Sequence, residues 1–213
     1  MDTDEQHTRP TERDRFPGPS RGRGGRSRSA RLGAVAAAAA VLLLLVHTFV
    51  VEPFRIPSDS MGNTLKAGDR VLVNKLAYRF GNLPGHGDVV VFDGTGSFDR
   101  EPSEGTDYVK RVVGVGGDRV VCCDERGRIE VNGEPVDESY LHPGDRPSAV
   151  PFDIRVPEGR LWVMGDHRSR SSDSRDHLGA PGGGTVPVGR VIGRADWIVW
   201  PADRWTSLRG PHG

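Results

Sequence analysis

One run of apolar residues stands apart from the rest of the chain. Leu32 to Val51 contains about twenty residues and no Asp, Glu, Lys or Arg, long enough to cross a bilayer as a helix. After it, apolar positions come in short bursts between turns, which predicts strands. Arg70 to Leu76 follows the turn Lys66-Ala-Gly-Asp69. Asp88 to Phe92 follows Leu83-Pro-Gly-His-Gly87. Tyr108 to Val115 alternates, with Tyr108, Lys110 and Val112 on one face and Val109, Arg111 and Val113 on the other. Gly116-Gly117-Asp118 turns the chain into Arg119 to Cys123. Ile129 to Val131 and Glu134 to Val136 flank Asn132-Gly133, the pair that suits a type I′ hairpin turn. Leu161 to Met164 and Arg190 to Trp200 complete the strands. The last is too short and too charged for a second membrane span. Gly94 to Thr106 and Gly165 to Leu178 read as polar loops, and the tail from Pro201 as frayed.

Composition adds 29 glycines and 16 prolines, which suit turns and short strands. The formal net charge is zero, so composition offers no argument for nucleic acid. Residues 1–31 are too poor in apolar side chains to offset the entropy of ordering, which predicts a disordered tail. Arg21, Arg23, Arg26, Arg28 and Arg31 crowd together just before the apolar run and are expected to stay in the cytoplasm, with the rest of the chain outside. The alanines precede the leucines, whereas a signal-peptide cleavage site belongs on the far side. The run therefore reads as an uncleaved anchor. Cys122 and Cys123 are adjacent, which is neither a disulfide framework nor a metal spacing. Outside the cell, where thiols can oxidise, at least one is expected to be a small buried residue, with a bond between the neighbours or an intermolecular bridge as the alternatives.

Chemistry concentrates in Ile56 to Leu65. Ser58 and Ser60 lie two apart, on one side of an extended segment, beside Phe54, Ile56, Met61 and Leu65. A serine nucleophile needs a base. No histidine sits in a serine-protease signature. His86 and His142 read as solvated turn residues, and the spacing of His167, Asp173 and His177 fixes no metal geometry. Lys110, among Val109, Val112 and Val113, is the other candidate. Burial in apolar surroundings lowers a lysine pKa enough to leave a useful neutral fraction, and Ser171 is a candidate hydroxyl partner. No metal or cofactor is expected.

Five segments in order carry a resemblance. They are Ile56-Pro-Ser-Asp-Ser-Met61 with Thr64-Leu65, Gly68 to Lys75, Gly87 to Phe92, Asp107 to Asp118, and Gly165 to Arg175. Together, after an N-terminal anchor, they resemble the boxes of bacterial type I signal peptidases from about Glu52 to Trp200. The resemblance implies a mainly β, antiparallel β-sheet signal-peptidase (LexA-like) fold with one N-terminal transmembrane helix. The expected organisation is a cytoplasmic tail (1–31), a signal-anchor helix (32–51), an extracytoplasmic catalytic domain (52–200) with a small second lobe (124–152), and a C-terminal tail (201–213). The implied activity is a membrane-anchored serine endopeptidase, single-pass in the cell membrane, that removes signal peptides after small residues of Ala-X-Ala type.

The resemblance also distributes roles. Ser60 matches the nucleophile and Lys110 the general base. Ser58 matches an oxyanion donor, Ser171 the residue that orients the lysine, and Asp173 with Arg175 a supporting pair. Phe54, Ile56, Met61 and Tyr108 are the expected substrate contacts. Secretory preproteins, membrane lipid and the export translocon are the expected partners. Asn63 stands where proline is common, which predicts a modest change in loop stiffness. His167 stands where asparagine is common, which makes it a candidate hydrogen-bonding residue. The competing readings are a non-catalytic anchored β-domain that binds exported chains, and a self-cleaving repressor-type protease. The presence of both Ser60 and Lys110 argues against the first. The anchor and the lack of a DNA-binding region argue against the second.

Overall fold

The computed structural model describes residues 28–99 and 107–208. The tail up to residue 27, residues 100–106 of the expected polar loop and the end of the chain from 209 lie outside the described residues. Helix α1 runs from Arg28 to Phe49 and buries none of its residues. By length and composition it can cross a membrane. It starts before the expected Leu32, because Arg28, Ala30 and Arg31 are good helix formers that extend the apolar run by a turn.

The strands after the helix are short. They are β1 (Val51–Arg55), β2 (Arg70–Asn74), β3 (Val89–Asp93), β4 (Asp107–Val115), β5 (Arg119–Cys122), β6 (Ile129–Val131), β7 (Glu134–Pro135), β8 (Phe152–Arg155), β9 (Arg160–Met164), β10 (Val186–Pro187), β11 (Val191–Trp200) and β12 (Thr206–Ser207). One antiparallel sheet has the order β1-β2-β11-β3-β4-β9-β10, with β12 on β11. A second has the order β7-β6-β5-β8. The fold is therefore mainly antiparallel β with one N-terminal apolar helix.

The second sheet takes in the expected 124–152 segment together with β5 and β8, so it spans Arg119 to Arg155. Its β6–β7 hairpin turns at Asn132 and Gly133, both with positive φ, as a type I′ turn requires. Cys122 and Cys123 are bonded to each other. Cys122 packs with Ile129, Phe152 and Trp162, so it is buried as a disulfide and not as a thiol.

The segment after Pro201 is ordered as far as Leu208, contrary to the expected frayed end. Arg204 donates to both Asp69 carboxylate oxygens, β12 pairs with β11, and Leu208 packs on the core of Ile56, Met61, Leu65 and Val71. These are contacts between residues distant in sequence, which local composition does not reveal.

Two features position the site. The first is the loop between β1 and β2. It continues the ladder through Ile56 N–H to Asp69 O and Gly68 N–H to Ile56 O, both at 2.9 Å, then folds over its own apolar residues. Ile56, Met61 and Leu65 are buried beneath it. The second is β4, which lies between β3 and β9 and has its middle covered on both faces.

Candidate active site

Ser60 and Lys110 meet where the β1–β2 loop crosses β4. Lys110 Nζ donates to Ser60 Oγ at 2.9 Å, and Ser58 Oγ donates to the same oxygen at 3.3 Å. Ser60 and Lys110 are buried, while Ser58 is exposed. Burial, helped by nearby Arg175, brings the Lys110 pKa from 10.5 down to about 8 against the opposing pull of Asp173 and Asp166. Desolvation wins because no carboxylate is hydrogen-bonded to the amine among the described residues. The Tyr108 ring lies 5.9 Å from Nζ.

A cleft of about 330 Å³ opens over this pair, lined among others by Ile56, Ser58, Met61, Tyr108 and Val109. Three of the four expected contact residues line it. Phe54 does not. It is half-buried on β1 and packs on the core beside Ile56, so it backs the cleft. Val109 was missed, since alternation puts it on the strand face opposite Lys110; yet it reaches the cleft rim. A larger cavity, about 870 Å³, lies elsewhere on residues 96–99, 176–177 and 179–181 and shares no residue with this cleft.

The Gly165-Asp166-His167 segment lies directly beneath Ser60. His167 N–H donates to Ser60 O at 3.1 Å, and its Nδ1 lies 3.2 Å from Asp59 O. The expected hydrogen-bonding role for His167 is thus met through the loop backbone. Gly165 is packed so closely that a Cβ there would lie 2.3 Å from Ser60 O and 2.2 Å from Ser171 Oγ, which excludes any side chain without moving the serine. Asp166 pairs with Arg111 through two hydrogen bonds of 2.8 and 2.6 Å, and it accepts from Thr64 Oγ1.

Asp173 and Arg175 form the expected pair, bidentate at 2.8 Å on both arms. Burial pushes the Asp173 carboxyl up, but the Arg175 guanidinium and the Gly165 N–H outweigh it and hold the pKa below the ordinary value. Ser171 departs from expectation. Its buried hydroxyl makes no hydrogen bond to Lys110 or to any other described group, although it is near enough to Asp173 to favour that carboxylate weakly.

Asn63 also does more than was expected of it. Its φ is +100°, which proline cannot adopt, and its Nδ2 donates to the Tyr140 and Leu141 carbonyls at 3.1 and 3.0 Å. The change from proline ties the serine loop to the 140s segment.

A buried serine hydrogen-bonded to a lysine of lowered pKa, beside an open cleft with apolar walls, can carry out acyl transfer. Known proteins match the chain as follows. The family model "Signal peptidase, peptidase S26" matches residues 29–200. A signal peptidase I of Mycobacterium tuberculosis is 41% identical over 205 residues, covering 76% of this chain and 69% of the relative. Signal peptidase IB of Staphylococcus aureus is 35% identical over 186 residues, covering 80% and 88%. A crystal structure of a signal peptidase I from Enterococcus faecalis is 26% identical and covers 52% of this chain and 95% of its own, with a TM-score of 0.39, too low to carry an argument about the fold.

Proposed function

Since the chain belongs to the signal peptidase family, peptidase S26, we propose that it cleaves signal peptides from exported preproteins with Ser60 as nucleophile and Lys110 as general base. Family membership carries serine endopeptidase chemistry and signal-peptide-bearing substrates. The observation that supports the residue assignment is the 2.9 Å contact between Lys110 Nζ and Ser60 Oγ in a buried setting.

The lysine must be neutral to act. With a pKa of about 8, roughly one lysine in ten is neutral at pH 7, against about one in three thousand at the ordinary value. Neutral Lys110 takes the Ser60 proton as Oγ attacks the scissile carbonyl. The oxyanion that forms is held by the Ser58 hydroxyl and the Ser60 N–H. The Lys110 ammonium then protonates the leaving amine, which breaks the C–N bond and leaves an acyl-Ser60. A water molecule, deprotonated by Lys110, releases the acyl group. Asp173 and Arg175 brace the loop that carries Ser171, whose side chain packs against Gly165 beneath Ser60.

The cleft beside Ser60, walled by Ile56, Met61 and Tyr108, favours small side chains next to the scissile bond, in line with cleavage of Ala-X-Ala type. The apolar helix and the family together support membrane anchoring. The arginine-rich stretch before the helix supports a cytoplasmic N-terminus and an extracytoplasmic catalytic domain, where lipid and the export translocon are the neighbours. The experiment is cleavage of a purified preprotein by the full chain and by Ser60→Ala and Lys110→Met. Both variants should lose activity. Wild-type turnover by either one rejects the dyad.

A further inference from the structure

Behind the Ser60 loop, two histidines and an aspartate from distant parts of the chain converge. We propose that His142, Asp145 and His167 form a binding site for a divalent transition-metal ion of the imidazole-preferring class, with Zn²⁺ as the first candidate. A ring nitrogen of each histidine and a carboxylate oxygen of Asp145 lie within 4.8 Å of one another. Both histidines and the aspartate are half-buried, so His142 sits in the expected turn but is not the fully solvated residue that the adjacent proline implied.

The backbone brings the three together. His142-Pro-Gly-Asp145 closes through Asp145 N–H to His142 O at 3.0 Å, with Gly144 at φ +89°. This matches a type II turn, with proline and glycine at its two central positions. The turn is docked onto the segment below Ser60 by His142 N–H to Asp166 O at 2.9 Å. The two rings stack with centroids 3.9 Å apart and planes 7° apart.

The surroundings match what metal-ligating side chains require. His142 Nδ1 lies 3.0 Å from Pro143 O, and His167 Nδ1 lies 3.2 Å from Asp59 O. A carbonyl can only accept, so each Nδ1 carries a proton, and in the neutral ring that leaves the Nε2 lone pair for a metal. Ligating histidines are commonly oriented this way by an acceptor behind the ring. Asp145 is oriented as well, accepting from Ser169 Oγ at 2.7 Å and from Ser169 N–H at 3.2 Å. Ligands about 2.0–2.1 Å from a tetrahedral Zn²⁺ are roughly 3.3 Å apart, so the three groups need to close by at most ~1.5 Å, within reach of side-chain rotation out of the stack. Three protein ligands leave a fourth position for water.

This proposal is independent of the Ser60–Lys110 assignment, and its test reads binding. Full-length protein without a histidine tag, in detergent micelles, is stripped with chelator and titrated with Zn²⁺ by calorimetry. Co²⁺ is used in parallel as an optical probe. The expected result is one Zn²⁺ per chain with Kd at or below roughly 10 µM, and a four-coordinate Co²⁺ band. His142→Gln and His167→Asn should each weaken binding on the order of 100-fold while leaving the thermal melt of the metal-free protein near wild type. Absence of binding up to about 1 mM Zn²⁺ overturns the proposal. So does binding that both variants retain unchanged, which would assign the ion to other histidines. If a variant fails to melt cooperatively, Asp145→Asn replaces it, with the same expected loss.

Discussion

Lys110 and Arg111 are neighbours on β4, both buried, at 4% and 7% exposure, and they meet burial in opposite ways. Arg111 keeps its charge. Its guanidinium donates twice to Asp166, once to Gly87 O at 2.7 Å and once to Thr64 Oγ1 at 3.2 Å, and it stacks over Tyr140 at 4.1 Å. Burial alone would lower its pKa, but Asp166 raises it above the ordinary value. Lys110 has one serine hydroxyl and an aromatic ring nearby, and burial takes its pKa down to about 8. The residue types suit the two tasks. A guanidinium with a planar fork is made for a bidentate carboxylate, whereas an ammonium gives up its proton readily once desolvated. One strand thus holds a permanent cation that fixes the Gly165–His167 segment under Ser60, beside a buried amine with no carboxylate hydrogen-bonded to it among the described residues.

The largest effect should come from removing the unpaired amine. Lys110→Met is expected to lower kcat/KM by about 10⁴-fold or more, as loss of a base in a coupled catalytic unit does. It should also stabilise the fold at pH 7. The native pKa lies below the unfolded value, so at pH 7 the lysine is charged in both states and the cost of burying that charge is present, at about 3 kcal/mol. Between about pH 8 and 10.5 the unfolded chain binds more protons than the native one, so wild-type stability climbs with pH and the advantage of Lys110→Met shrinks. Denaturant melts at pH 7 and pH 10 measure this. A variant equally destabilised at both would mean that Lys110 is a structural cation like its neighbour.

Removing the paired cation should do the reverse. Arg111→Met leaves Asp166, fully buried, with Thr64 in place of its guanidinium, and should cost about 3–5 kcal/mol of stability. Arg111→Lys should recover little of this, because a point charge cannot span both carboxylate oxygens. Equilibrium unfolding of the two variants checks the claim. A mild loss for Arg111→Lys would mean that charge alone, without the fork, suffices.

A smaller effect is expected at Ser58. Its side chain is exposed, so Ser58→Ala should leave the melt unchanged. Loss of one oxyanion donor lowers kcat by about 10²-fold with little change in KM. An unchanged kcat would assign the hydroxyl to resting-state contact with Ser60 alone.

How much of this was legible before folding differs between the same two neighbours. Lys110 could be singled out because Val109, Val112 and Val113 surround it, because a serine nucleophile needs a base that no histidine signature supplies, and because the five boxes occur in order. Arg111 could not. Its partner Asp166 is far away in sequence, and an arginine on a half-buried strand reads as a solvated position until the chain closes around it. The strands bounded by turns were visible for the same local reason as Lys110, and their ends moved by a residue or two. The β1 strand was hidden because Val51–Arg55 continues straight out of the apolar helix. The clasp of Arg204 on Asp69 and the docking of His142 on His167 depend on contacts between remote segments. Ser171 was expected as a hydroxyl partner of Lys110, but its hydroxyl direction is set by tertiary packing against Gly165 that no motif records.

The last and smallest effect separates the two cations by titration. If neutral Lys110 is the base, the rate follows its unprotonated fraction, which rises from about one tenth at pH 7 to about nine tenths at pH 9 for a pKa of about 8. Preprotein cleavage should therefore increase close to tenfold across that range, with a midpoint near pH 8, provided chemistry limits turnover. Arg111 stays charged throughout and contributes no step of its own. The Tyr108 hydroxyl beside the cleft is pushed up to about 12 by burial and by Asp99, so it stays protonated over the same range and does not compete for the assignment. Single-turnover rates at several pH values isolate the chemical step from product release. A flat profile from pH 7 to 9 under those conditions would remove Lys110 as the titrating base, and would leave its buried amine as charged and as structural as the guanidinium next to it.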